Sequence, residues 1–221
     1  MLNYKKTNKS SSKRSAFTLI ELSIVLIIIG LLVAGITGGA SLIKSAELRA
    51  VMAEARDYKT AVSAFQTQYD ALPGDSKVTS TTVTTAGNGD GTILHYHASE
   101  INEGQSVLGA LFDADMGGKA VTGAAVAELA IDTDFPTSKI KTSGWTFGSR
   151  AVAKNVLALT ATAYTPATAD IGADITNGIS GNQYFSIDRK MDDGAKATGT
   201  VRSAGACLST DTIGCNATFD L

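Results

Sequence analysis

The sequence predicts an α+β fold in which one long N-terminal helix packs its C-terminal half on an antiparallel β-sheet with extended loops. Three observations lead there. Residues 17–43, FTLIELSIVLIIIGLLVAGITGGASLI, form an almost wholly apolar run. Downstream, Tyr58, Ala61, Val62, Phe65, Tyr69 and Leu72 recur at spacings of three and four among charged residues, the stripe of an amphipathic helix. Beyond Pro73 the chain becomes rich in Thr, Ala and Gly, with short β-branched and aromatic pieces that read as strands between turns. At 221 residues and 44% hydrophobic, the chain has material for one or two domains with a core, which argues against intrinsic disorder. Its net charge of −2 lacks the basic excess that a nucleic-acid partner demands.

That balance is uneven along the chain. Residues 1–16 hold Lys5, Lys6, Lys9, Lys13 and Arg14, five of the 19 basic side chains, and none of the 21 acidic ones. As a helix, residues 17–43 would span roughly 40 Å, against ~30 Å for the hydrocarbon core of a bilayer. A cleaved secretory signal has an apolar region of only about 7–15 residues followed by a small-residue cleavage site, and neither condition is met. A plain signal anchor, with its basic end in the cytoplasm, would have no use for Glu21. A carboxylate near the membrane centre costs about 2.5–3.5 kcal/mol and is expected to have a partner.

The string Lys13-Arg14-Ser15-Ala16-Phe17-Thr18-Leu19-Ile20-Glu21-Leu22 closely resembles the processing and methylation motif of type IV prepilins and type II secretion pseudopilins. The resemblance implies that a prepilin peptidase cuts between Ala16 and Phe17 on the cytoplasmic side and N-methylates Phe17. It also implies that Glu21, the fifth residue of the mature chain, pairs with the Phe17 amine of a neighbouring subunit during filament assembly. A pilin-like fold follows from the same resemblance. So do the partners: other pilin-like subunits, the peptidase and an inner-membrane assembly platform. Ala16 departs from the family's usual Gly before the cut, which bears on processing efficiency. The implied function is a structural subunit of a type II secretion pseudopilus or a type IV pilus; the mature chain, 17–221, is longer than typical major subunits, which opens a minor or tip role, while Glu21 keeps a position in the filament body open. The implied location is the bacterial inner membrane, crossed once, with the leader cytoplasmic and the globular domain periplasmic, and then the filament. The alternative is a membrane-anchored periplasmic enzyme or ligand-binding module that uses its N-terminus only as an anchor.

The expected organisation is a leader at 1–16, a transmembrane helix half at 17–43, an amphipathic half at 44–72 and an exported globular domain at 73–221. A single helix from Phe17 to about Ala71 would be roughly 80 Å long. Gly30, Gly35, Gly38 and Gly39 interrupt its apolar half, and Gly35 and Gly39 have the small-xxx-small spacing that lets helices approach closely. The Gly35–Gly39 stretch is expected to loosen on assembly. Pro73 ends the helix, and Pro73-Gly74 suits the centre of a type II turn.

Residues 76–86 are Thr-rich with alternating Val, and 87–91 form a flexible loop. Asn88-x-Asp90-Gly91 resembles half of a calcium loop without its acidic first ligand or closing Glu, so it reads as a plain turn. His95 and His97 share one side of a strand but have no third ligand, so they read as surface residues. Residues 100–116, with Val107, Leu108, Leu111 and Phe112, read as a short amphipathic helix. Strands are expected around Trp145-Thr146-Phe147 and Val156-Leu157-Ala158-Leu159, and Tyr184-Phe185-Ser186-Ile187 reads as another leading into Asp188–Gly194.

This last stretch resembles one in pseudopilin-like globular domains. Read with that resemblance, Asp188, Asp192 and Asp193 could offer oxygen ligands to Ca²⁺. The alternative is an acidic β-turn between two final strands, with no cofactor. Cys207 and Cys215 are expected to pair in an oxidising periplasm and close a small terminal loop. The sequence holds no His-Glu-x-x-His, no Gly-x-Ser-x-Gly and no phosphate-cradling Gly-x-x-x-x-Gly-Lys, so no enzymatic activity is expected.

Overall fold

A computed structural model describes residues 17–77, 87–94, 103–118, 129–130, 135–150, 154–161, 163–164, 171, 175, 177–203 and 207–221. The leader with Ala16, the Thr-rich 78–86, His95 and His97, and residues 100–102 lie outside them. In chain order the elements are α1 (Leu19–Tyr69), α2 (Glu103–Asp113), β1 (Leu129–Ala130), β2 (Ser143–Arg150), β3 (Lys154–Ala161), β4 (Ala163–Tyr164), β5 (Ile179–Ser180), α3 (Gly181–Met191), β6 (Val201–Arg202), β7 (Ile213–Cys215) and β8 (Ala217–Asp220). The architecture is α+β, a long apolar N-terminal helix with an antiparallel sheet. The chain divides into two compact units, Met1–Lys44 and Ser45–Leu221.

In the first unit α1 is regular helix throughout, including Gly35–Gly39. A Cβ added at Gly30, Gly35, Gly38 or Gly39 would meet nothing within 4 Å, so no contact among the described residues requires these glycines.

In the second unit α1 buries Val51, Met52, Ala55, Val62 and Phe65. Leu48, Tyr58, Ala61 and Leu72 pack partly buried against the same core. The apolar stripe therefore begins earlier than Tyr58, and Tyr69 at its end is half exposed against Phe65, ring centroids 4.5 Å apart. The helix stops at Tyr69, two residues before the expected end. Asp70 takes the left-handed conformation (φ 52°) and donates its N–H to Gln66 O at 3.0 Å. Asp is among the few residues that visit that region routinely. Gly74, at φ 85°, occupies the position a type II turn reserves for glycine. A Cβ there would lie 2.5 Å from Glu103 O, so the turn sits directly on the start of α2.

The main sheet runs β2-β3-β8-β6, every neighbour antiparallel. The register sets Trp145 opposite Leu159, Phe147 opposite Leu157, and Leu157 opposite Phe219. These side chains share one core with Val107, Leu108 and Leu111 of α2 and the buried stripe of α1. Alternation along a strand sends Val156 and Ala158 to the other face, where they meet Ile171 and Ile175. With both faces covered, the centre of β3 reads as a continuous apolar run instead of an in–out alternation. Phe112, expected on the apolar face of α2, is half exposed.

Trp145 couples the sheet to α1. Its indole N–H donates to Glu54 Oε2 at 3.0 Å, and its ring lies 6.0 Å from Tyr58 and 5.7 Å from Phe219. Burial, with the Glu54 carboxylate adding to it, pushes the Tyr58 hydroxyl up to about 12.

The segment 184–187 corrects the sequence reading: it is helix, not strand. Ser180 caps α3 by accepting from Gln183 N at 3.3 Å, and Gln183 Oε1 accepts from Ser180 N at 2.8 Å. That reciprocal pair is a capping box, a helix-start signature written as Ser-x-x-Gln. Tyr184, Ile187 and Asp188 then fall on the buried face, and Arg189 and Lys190 stand in the last turn, where basic charge complements the helix dipole. The β-forming character of Tyr-Phe-x-Ile is overridden by the cap and the helical spacing.

The loop at 87–94 is tied to two buried carboxylates rather than left loose. Asp75 accepts from the backbone N–H groups of Gly89, Asp90 and Gly91, and Glu103 from those of Asn88 and Leu94. Asp90 accepts from Thr92 N, so Asn88-x-Asp90 serves as a turn, as its incomplete motif suggests. Burial raises the Glu103 carboxyl above its ordinary value; the Leu94 and Asn88 N–H groups pull it back, and Asp75 and Asp90 push it up again.

Candidate functional site

The described part of the N-terminal motif begins at Phe17, whose side chain is exposed. Thr18 takes the N-cap position of α1, because its C=O accepts the first helical bond, from Leu22 N at 3.2 Å. Glu21 stands three residues on, and its Oε2 accepts from both Thr18 N and Thr18 Oγ1 at 2.8 Å. Thr18 Oγ1 in turn accepts from Glu21 N at 3.3 Å. This is a second capping box, Thr-x-x-Glu.

The arrangement corrects the inference that an anchor alone has no use for Glu21. Within one chain the carboxylate already satisfies an otherwise orphaned donor at the helix start, a contribution of about 1 kcal/mol for a typical cap. Its other oxygen, Oε1, accepts no hydrogen bond among the described residues and is available to a second donor. A carboxylate has lone pairs enough for both.

From Leu19 to Ile43 the large apolar side chains are exposed, and α1 is long and apolar enough to cross a membrane. Exposed apolar surface on this scale marks a membrane or protein interaction.

At the other end of the chain Cys207 and Cys215 form a disulfide with Cα atoms 4.9 Å apart, both cysteines buried. The chain-entropy account gives a loop this short about 2–3 kcal/mol. Reduction is therefore expected to lower the melting temperature by roughly 5–10 °C. Differential scanning calorimetry with and without a thiol reductant checks this.

Asp188, Asp192 and Asp193 do converge, each offering an oxygen within 4.8 Å of the others. They do not form a β-turn between two strands: Asp188 lies on α3, and the other two lie in the connection to β6. Asp192 Oδ2 accepts from Val201 N at 2.9 Å and from Thr200 N. Asp193 accepts from Ala195 N at 2.8 Å and from the Thr198 hydroxyl. Asp188 is buried, and neither of its oxygens has a hydrogen-bond partner among the described residues.

Sequence reasoning missed the Thr18–Glu21 cap, although Thr-x-x-Glu before an apolar run is its signature. It also missed the Asp75 and Glu103 cradle, which carries no local signal.

The comparisons agree with the N-terminal reading. Residues 11–37 match the family described as the prokaryotic N-terminal methylation motif. No curated protein and no solved structure matches the chain. The chain thus carries, at its N-terminus, the prokaryotic methylation motif that is the hallmark of type IV pilin and pseudopilin leaders.

Proposed function

We propose that this protein is a structural subunit of a type II secretion pseudopilus or a type IV pilus, and not an enzyme. The observation that carries the reading is the methylation motif over 11–37, set immediately before and within a helix whose apolar surface is exposed. A prepilin peptidase removes residues 1–16 and methylates Phe17. Residues 17–43 hold the subunit in the inner membrane, with 73–221 on the periplasmic side, until an assembly platform transfers it to the filament. There the same helix packs against other pilin-like subunits, and Glu21 Oε1 pairs with the Phe17 amine of a neighbour while Oε2 keeps its cap.

Gly35, Gly38 and Gly39 supply close approach or local loosening in that packing, which fits the open space that an added Cβ would meet at each among the described residues.

Processing gives the first test. In cells with an active prepilin peptidase, intact-mass and N-terminal fragment spectra are expected to show a chain starting at N-methylated Phe17. Ala16→Gly is expected to raise the processed fraction and Ala16→Lys to abolish it. A stable, fully functional chain that keeps residues 1–16 would refute the proposal and leave the anchored enzyme or ligand-binding module as the better reading.

A further inference from the structure

We propose that Asn88-Gly89 is a self-modifying site. The loop held by Asp75 and Glu103 is arranged to convert the Asn88 carboxamide to a carboxylate through a cyclic imide, with water as the co-reactant. The reaction belongs to the Ser45–Leu221 unit and does not depend on filament assembly.

The chain has two Asn-Gly pairs, Asn88-Gly89 and Asn177-Gly178. Asn is chemically labile because the next backbone nitrogen can attack its side-chain carbonyl carbon, and glycine, with no side chain, hinders that approach least. The two pairs differ in what holds the glycine N–H. Gly178 donates to a neutral backbone carbonyl, Cys215 O, at 3.0 Å. Gly89 donates to a carboxylate, Asp75 Oδ1, at 2.7 Å. A carboxylate in contact with the proton of the attacking nitrogen is placed as a general base.

Asp90 holds the carboxamide under attack by both ends. Its N–H donates to Asn88 Oδ1 at 2.9 Å, and its Oδ2 accepts from Asn88 Nδ2 at 2.9 Å. These bonds fold the Asn88 side chain forward along the Gly89 peptide. The Asp90 N–H also stands where negative charge develops on Oδ1 in the tetrahedral intermediate, the place of an oxyanion donor. Gly89 is at φ 73°, and a Cβ there would lie 2.7 Å from Lys77 Cε, so the loop favours glycine at the attacking position. Asn88, Gly89 and Asp90 are exposed, so water reaches the ring that forms.

The bond from Gly89 N to Asn88 Cγ forms as Asp75 takes the N–H proton. The bond from Cγ to Nδ2 breaks, and the proton passes through solvent to the departing nitrogen, which leaves as ammonia. Water then opens the imide at either carbonyl, giving an ordinary aspartyl residue at position 88 or its β-linked isomer. Either product sets a new carboxylate among Asp75, Asp90 and Glu103, and repulsion between like charges loosens their hold on the loop.

The test follows the freshly purified full chain, in detergent and heavy-oxygen water at neutral pH, by peptide mass mapping over days. Heavy oxygen is expected to enter position 88 well ahead of position 177, in a mixture of the two isomers. Asp75→Asn is expected to slow conversion at 88 roughly a hundredfold, the lower end of what a positioned base contributes, and to leave 177 unchanged. An Asp75 that merely locks the loop would give the opposite sign, because its loss frees the Asn-Gly pair to find the attacking geometry. Denatured wild type decides the matter if Asp75→Asn fails to fold: conversion at 88 is expected to fall to the rate at 177 once the loop is lost. Unchanged or faster conversion at 88 in Asp75→Asn or in denaturant would overturn the proposal, as would conversion at 88 no faster than at 177 in the native chain.

Discussion

Trp145→Ala is expected to unfold much of the Ser45–Leu221 unit. The side chain is 1% exposed and joins three elements: it donates to Glu54 on α1, and its ring meets Tyr58 of α1 and Phe219 of β8. Truncating a buried Trp costs about 3–5 kcal/mol through lost transfer energy and the cavity left behind. Glu54 would retain its contacts to Lys139, a hydrogen bond from Lys139 N at 3.2 Å and an exposed ion pair at 3.9 Å. Those do not replace a buried indole donor. Domains are stable by only about 5–15 kcal/mol, so the loss consumes a large fraction of the total. Circular dichroism melts should show a drop of roughly 6–20 °C, or no cooperative transition at all. Trp145→Phe keeps most of the ring contacts but not the N–H, and is expected to fall between the two.

The elements that were legible in the sequence are those whose signal is local and strong. The apolar run from Phe17 and the motif around Glu21 are contiguous, so no tertiary knowledge is needed to see them. Trp145–Phe147 and Val156–Leu159 read as strands because their aromatic and β-branched residues cluster within a few positions, and β2 and β3 contain them. Cys207 and Cys215 left one pairing possible, and the disulfide is present.

What was not legible depends on partners distant in sequence or on competing local signals. Tyr184–Ile187 has strand-forming residues, yet Ser180 and Gln183 start a helix that places Tyr184, Ile187 and Asp188 on the core. Val51, Met52 and Ala55 are interleaved with Glu47, Arg49, Glu54 and Arg56, which masked the start of the buried stripe. The buried roles of Asp75 and Glu103 arise only because the 87–94 loop folds over them. Both carboxylates look like surface charge in the sequence, because the backbone N–H groups they satisfy lie 9 to 16 residues away.

Glu21 carries the second large expected effect, because the proposed pairing between subunits adds a role to the helix cap it forms with Thr18. Oε2 closes the cap with Thr18, whereas Oε1 accepts no hydrogen bond among the described residues. Gln serves at the third position of a capping box as well as Glu does, so Glu21→Gln keeps the helix start and removes only the negative charge. Glu21→Ala removes both and adds a fraying cost of about 1 kcal/mol. Breaking a buried ion pair by deleting one partner costs about 3–5 kcal/mol. At 1.4 kcal/mol per decade, that is at least about a hundredfold in the equilibrium for adding one subunit.

The most direct measurement compares wild type, Glu21→Gln and Glu21→Ala expressed with their own assembly machinery, scoring leader removal by mass and filament incorporation by shearing or cysteine cross-linking. The expected result is normal cleavage before Phe17 in Glu21→Gln with incorporation reduced at least about a hundredfold, and Glu21→Ala no better. Wild-type incorporation by Glu21→Gln would contradict charge pairing between subunits and leave Glu21 as nothing more than a helix cap.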